Sequence, residues 1–153
     1  MRSIAIALSL TLLALGSAWA AEPSAVIDEA VRSVHERKAA AASQLIVLEG
    51  GDKAAFDKLF DEYQSGLEAL NKEYASLAYR LLEKSSVPSV DEVKKMIREF
   101  RDLDVKKLDL REYYFEKFGT TLDATQLIRL LQLENKADAI LKHGAAMQIP
   151  FLE

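Results

Sequence analysis

FDKLFDEYQSGLEALNKEYASLAYRL, Phe56 to Leu81, decides the fold. Phe56, Phe60, Tyr63, Leu67, Leu70, Tyr74, Leu77 and Leu81 follow one another at steps of four and three without a break. A half-buried strand would alternate every second residue, and this stretch does not. At 3.6 residues per turn those steps lay the apolar side chains in one stripe, the spacing of a coiled-coil-like seam. Asp52 is a suitable N-cap, so a helix is expected from about Asp52 to Lys84.

Breaks frame this helix on both sides. Gly and Pro are scarce and sit at Pro23, Gly50-Gly51, Pro88, Gly119 and Pro150. Between Pro23 and the Gly pair, Ile27, Val31, Val34, Ala41, Leu45 and Leu48 give a first helix, from about Ser24 to Leu48. After Pro88, Ser89-Val90-Asp91-Glu92 reads as a capping box, and Val90, Val93, Ile97 and Phe100 continue the seam. It then falters. DLDVKKLDL, Asp102 to Leu110, puts Asp104 and Lys107 where apolar residues are wanted, which predicts a stutter, bend or short break. Gly119 suits the C′ position of this third helix. A fourth starts near Thr121 to Asp123, with Gln126 three residues after Asp123 as its reciprocal capping partner, and runs to about Met147. The expectation is all-α: an elongated bundle or long helical hairpin of about four helices. Such lengths leave part of a seam uncovered, which favours a homodimer or another protein partner.

The chain opens MRSIAIALSLTLLALGSAWA. Arg2, the apolar run Ile4 to Leu15 and the small residues Ala18 and Ala20 are the three parts of a secretory signal, cut after Ala20. Residues 1–20 are therefore expected to be a cleavable leader, and 21–153 a single all-helical domain in a bacterial periplasm. The apolar run is too short for a membrane span, which takes about 20 residues, and no transmembrane segment is expected in the mature chain. With no cysteine, stability must come from packing, without disulfides. Of 20 Lys and Arg only Arg2 falls in the leader, leaving 19 against 24 acids, a net of −5. Basic residues are scattered among the acids, so nucleic acid is not an expected partner.

No motif for catalysis stands out. Neither His35, in the run HERK, nor His143 belongs to a metal-binding pattern, and both are expected at the surface. No thiol, phosphate-binding Gly loop or Ser nucleophile elbow is present. No cofactor or metal is assigned. EYYFEKF, Glu112 to Phe118, has two readings: a satellite core closing the bundle end, or a client surface made of Tyr113, Tyr114, Phe115 and Phe118.

The fourth helix carries two acids, Glu134 and Asp138, at positions its four-and-three spacing reserves for leucines. Leu130, Leu133 and Ala137 sit to one side and could rotate the apolar arc away, leaving the acids at its edge with Lys142 as an i,i+4 partner of Asp138. A cross-helix ion pair with Arg80, Arg98, Arg101 or Arg111 is an alternative, and a paired-carboxylate metal or catalytic site is another. Glu134 is expected to find a basic or backbone donor on a neighbouring helix.

The segment LDATQLIRLLQLENKADAIL, followed by AAMQIPFLE, resembles the C-terminal signature of a family of small exported proteobacterial proteins. The matching residues are Leu122, Gln126, Gln132, Glu134, Asn135, Lys136, Ile149 and Pro150. In size, leader and helical content the chain also resembles the Spy/CpxP-type periplasmic chaperones, whose LTxxQ motif has its counterpart here in Leu122 to Gln126. The resemblance implies a chaperone-like or envelope-stress interaction module, not an enzyme, with Gln126, Glu134, Asn135 and Asp138 as structural polar contacts. A metal or small-ligand sensor and a coiled-coil subunit of an envelope complex are the alternatives.

Overall fold

The computed structural model describes residues 23–82 and 87–148, with side chains placed for 28–80 and 87–144. The expected leader (1–20), the link around Lys84 and the Ile149-Pro150 ending lie outside the described residues. Four helices follow in order: α1 (Pro23–Leu45), α2 (Gly50–Leu82), α3 (Val90–Phe118) and α4 (Ala124–Gln148). Among the described residues there is no strand, and no helix is long and apolar enough to cross a membrane.

The caps explain the starts. At α3, Ser89 accepts from the Glu92 amide at 3.3 Å while the Ser89 amide donates to the Glu92 carboxylate at 2.8 Å. At α4, the Asp123 amide donates to Gln126 Oε1 at 3.0 Å and the Gln126 amide to Asp123 Oδ1 at 2.8 Å. Both reciprocal boxes form as the sequence suggests. Two other starts fall earlier than expected: Ser24 and Asp52 lie inside the first turns of α1 and α2 rather than capping them. Gly50 takes φ +57°, a left-handed turn that a side chain would strain. Gly119 does not: it sits at φ −62°, an ordinary helical value, so its role at the end of α3 is not the left-handed cap.

α3 is continuous from Val90 to Phe118, so the expected break at 102–110 is absent. The two residues that spoiled the pattern are satisfied by other helices. Asp104 faces Lys142 at 3.8 Å, and Lys107 is buried with its ammonium 2.8 Å from Asp138 and over the Tyr74 ring. A polar residue within an apolar stripe need not break a helix when its partner is already in place.

The backbones of α1 and α2, α2 and α3, and α1 and α4 run side by side, while α3 meets α4 chiefly through side chains. Gly66 of α2 permits one close approach: a Cβ there would stand 3.0 Å from Leu110 of α3. The apolar stripe of α2 faces inward, with Phe56, Phe60, Tyr63, Leu67 and Leu77 all buried. The first four join Ala41, Ala42 and Ile46 of the first helix and its following turn, Phe118 and Leu122, and Leu130 and Leu133 of α4 in the main core. Ile46 is buried although α1 ends one residue earlier.

Candidate functional site

All four helices contribute polar groups to the middle of the bundle. Glu134 of α4 is 5 % exposed and accepts from the Lys38 ammonium of α1 at 3.0 Å and from the Tyr63 hydroxyl of α2 at 3.1 Å. One turn on, Asp138 accepts from Lys107 of α3 at 2.8 Å and pairs with Lys142 at 3.1 Å. Arg111 of α3 donates to Asn135 Oδ1 at 2.9 Å. His35 of α1 lies 3.5 Å from Asn71 of α2. All of these except Lys142 and Asn135 border a cavity of about 20 Å³, room for one water molecule. The second carboxylate oxygen of Glu134, Oε1, is buried with no hydrogen-bond partner among the protein groups.

Burial dominates the electrostatics. It lowers the Lys38 pKa, and the Glu134 charge offsets only part of that. It raises the Tyr63 pKa, reinforced by the neighbouring Glu134. It lowers His35 to about 4, with the Lys38 charge acting in the same direction, so the imidazole is neutral near pH 7. For Asp138 burial acts upward, but the hydrogen bonds and charges of Lys107 and Lys142 prevail and hold it below its usual value. Each acid is thus met by a lysine, an arrangement that fixes helices relative to one another rather than one that holds a free proton for transfer. Among the described residues no group of three His, Cys, Asp or Glu side chains stands close enough to hold a metal ion.

The acid pair is therefore brought into cross-helix contact. Glu134 has its basic donor on a neighbouring helix, but that donor is Lys38 and none of the four arginines considered. Nor is Glu134 at the edge of the arc, whereas Leu131 is partly turned outward at 39 % exposure. Asp138 does pair with Lys142. Gln126 adds a contact the capping pattern could not show, donating to the Val47 carbonyl at 3.2 Å and so tying α4 to the turn before α2. His143 is exposed, but the expectation of a surface His35 is overturned: it shares the inward face of α1 with Val31, Lys38 and Ala42. Lys38, Tyr63 and Lys107 complete the polar centre beyond the residues expected from sequence. The spacing Val31, His35, Lys38, Ala42 carried the signal for Lys38.

The aromatic segment divides. Phe118 is fully buried and lies within 5.5–6.5 Å, ring to ring, of Phe56, Phe60 and Tyr63. Tyr114 and Phe115 pack partly buried against the same core. Tyr113 alone of the four is exposed, with Lys117 over its ring at 4.2 Å.

A different surface is apolar. Val90, Val93, Ile97, Val105 and Leu108 of α3 are exposed, Val90 at 70 % and Ile97 at 62 %. At 100° per residue they form a stripe about a third of a turn from the buried Leu103, Lys107 and Phe118. Its first half lies where α2 and α3 run on together. Asp28 of α1 reaches Lys72 of α2, and Lys142 of α4 reaches Asp104 of α3, so the stretches after 72 and before 104 approach or pass the ends of the other two helices. There Tyr74 packs on Phe100 at 4.9 Å and Arg80 pairs with Glu99 at 2.9 Å. No known protein family, curated protein or solved structure matches this chain.

Proposed function

We propose that the chain is an exported, non-enzymatic helical protein that acts as a chaperone-like or envelope-stress interaction module. Its contact surface is the outer face of α3. The observation that carries this reading is the row of five exposed Val, Ile and Leu side chains along one helix, rimmed by charged residues. Such a row is the usual mark of a surface that meets apolar segments of other polypeptides. The leader-like first twenty residues and the resemblance to Spy/CpxP-type proteins support the same reading. The polar groups of the bundle centre support a structural role, since Glu134 and Asp138 are each held by a lysine.

An aggregation-suppression assay with chemically unfolded client proteins tests the proposal. The chain should protect at a few-fold molar excess, and Ile97→Glu combined with Leu108→Glu should abolish protection while leaving the helical content intact. Absence of protection by the unaltered protein, or full protection by that variant, would remove the reading.

A further inference from the structure

The flank of the α3 stripe carries an ordered charge pattern. Lys94, Arg98 and Arg101 lie in its N-terminal half, and Asp109, Glu112 and Glu116 in its C-terminal half. All six are exposed. At 100° per residue they fall on the same side of the row formed by Val90, Ile97 and Leu108, with Val105 among them. One helix thus presents an apolar row whose edge is net basic at its start, where Asp91 and Asp102 pair with Lys94 and Arg101, and acidic at its end. The partner this pattern fits is itself, reversed. A two-fold axis across α3 keeps each flank on its own side and sets the basic half of one copy against the acidic half of the other.

We infer that two copies of the chain pair through antiparallel α3 helices about a two-fold axis near Leu103. This rests on reading the outer face of α3 as a contact surface and names the partner for that face. Ile97 of each copy then meets Leu108 of the other. Lys94 faces Glu112, and Arg98 faces Asp109. These contacts match in level along the helix to within one residue and in side of the helix. A parallel pair would instead place the two charged flanks on opposite sides of the seam, where they make no such pairs. The open stretch before residue 104 in one copy lies beside the four-helix region of the other, which covers the apolar residues α2 leaves exposed. A contact about 28 Å long between two single helices falls near the lower end of specific interfaces, roughly 1,200 Å², so the dimer dissociates on dilution. Because self-pairing and client contact share one face, the monomer is the form that binds clients.

Charge reversal tests this without touching the core. Sedimentation equilibrium from low micromolar to near-millimolar concentration should show the unaltered protein passing from monomer to dimer. Lys94→Glu with Arg98→Glu should weaken the dimer at least tenfold, and so should Asp109→Lys with Glu112→Lys, both without change in thermal midpoint. An equimolar mixture of the two variants should form mixed dimers, because each interface then pairs opposite charges. A control pair on other faces, Lys58→Glu with Lys136→Glu, should leave dimerisation unchanged. A protein that stays monomeric throughout, a dimer indifferent to the reversals, or a mixture that does not reassociate would overturn the inference. The client assay separates this from the broader reading. Monomeric protein that still protects clients removes the dimer alone. A reversible dimer whose monomeric variants protect no client removes the client reading alone.

Discussion

The two ends of the α2–α3 pair differ. At one end Phe56, Phe60 and Phe118 pack ring to ring, α1 and α4 close over them, and Gln126 fastens α4 to the Val47 carbonyl. At the other, α2 holds α3 through Tyr74 on Phe100 and Arg80 with Glu99, and Val90 and Ile97 face outward. The same kind of apolar spacing runs through both. What differs is how many neighbours are present to cover it. Apolar periodicity therefore reports that a face needs covering, and among the described residues α1 and α4 cover the first end and leave the second open.

The comparison can be broken most strongly at the closed end. Phe118→Ala should destabilise the fold by about 3–5 kcal/mol, since a fully buried ring leaves a cavity that helices cannot readily fill. Chemical denaturation monitored by circular dichroism measures it, and a loss below about 1 kcal/mol would mean that this end is not the stability centre. In the polar middle, Lys38→Met alone should be nearly as damaging, about 3–5 kcal/mol, because it leaves Glu134 buried without its cation. Lys38→Met combined with Glu134→Leu should recover most of that loss, as apolar replacement of a whole buried pair is often neutral or better. A double variant no more stable than the single one would show that Glu134 has a further role.

Acid should act on the middle as well. His35 binds its proton near pH 4 when folded, against about 6.5 when unfolded. The unfolded chain therefore takes up more protons between these values. The stability that His35 contributes as a neutral group is complete above about pH 6.5 and is lost progressively towards pH 4, by at most about 3 kcal/mol. Denaturation midpoints for the unaltered protein and His35→Gln over that range should converge as pH falls. Parallel curves would refute this account. At the open end the expected effect is smallest. Ile97→Ser should change stability by less than about 0.5 kcal/mol under conditions where the protein is monomeric, because its side chain is already in water. A larger loss in the isolated monomer would place Ile97 in the fold rather than on a contact surface.

Helix number, the two capping boxes and the inward face of α2 were legible in the sequence because each depends on residues within a few positions of one another. Continuity of α3 was not. Lys107 looks like a misplaced charge until Asp138, 31 residues away, comes within 2.8 Å. His35 reads as a surface residue from its charged neighbours in the run HERK, although its helical spacing from Val31 and Lys38 places it inward. For Glu134 the spacing showed that a donor was needed but could not say which, since Lys38 is 96 positions distant. Local order is written locally, whereas the partner of a buried charge is a property of the assembled bundle. The outer row of α3 was visible in part, as Val90, Val93 and Ile97, but it read as core because their spacing matched that of the buried face.

That span of 96 positions also orders events in time. A ribosome makes α1 first and α4 last, so 96 of the 153 residues are added between Lys38 and the carboxylate that will receive it. Until then its ammonium keeps the inward face of α1 in water and discourages early collapse onto α2. A chain that stops short of Glu134 would have to bury Lys38 without its carboxylate, at a cost of about 3–5 kcal/mol. A single long-range charge pair thus ties the settling of the first helix to the arrival of the last.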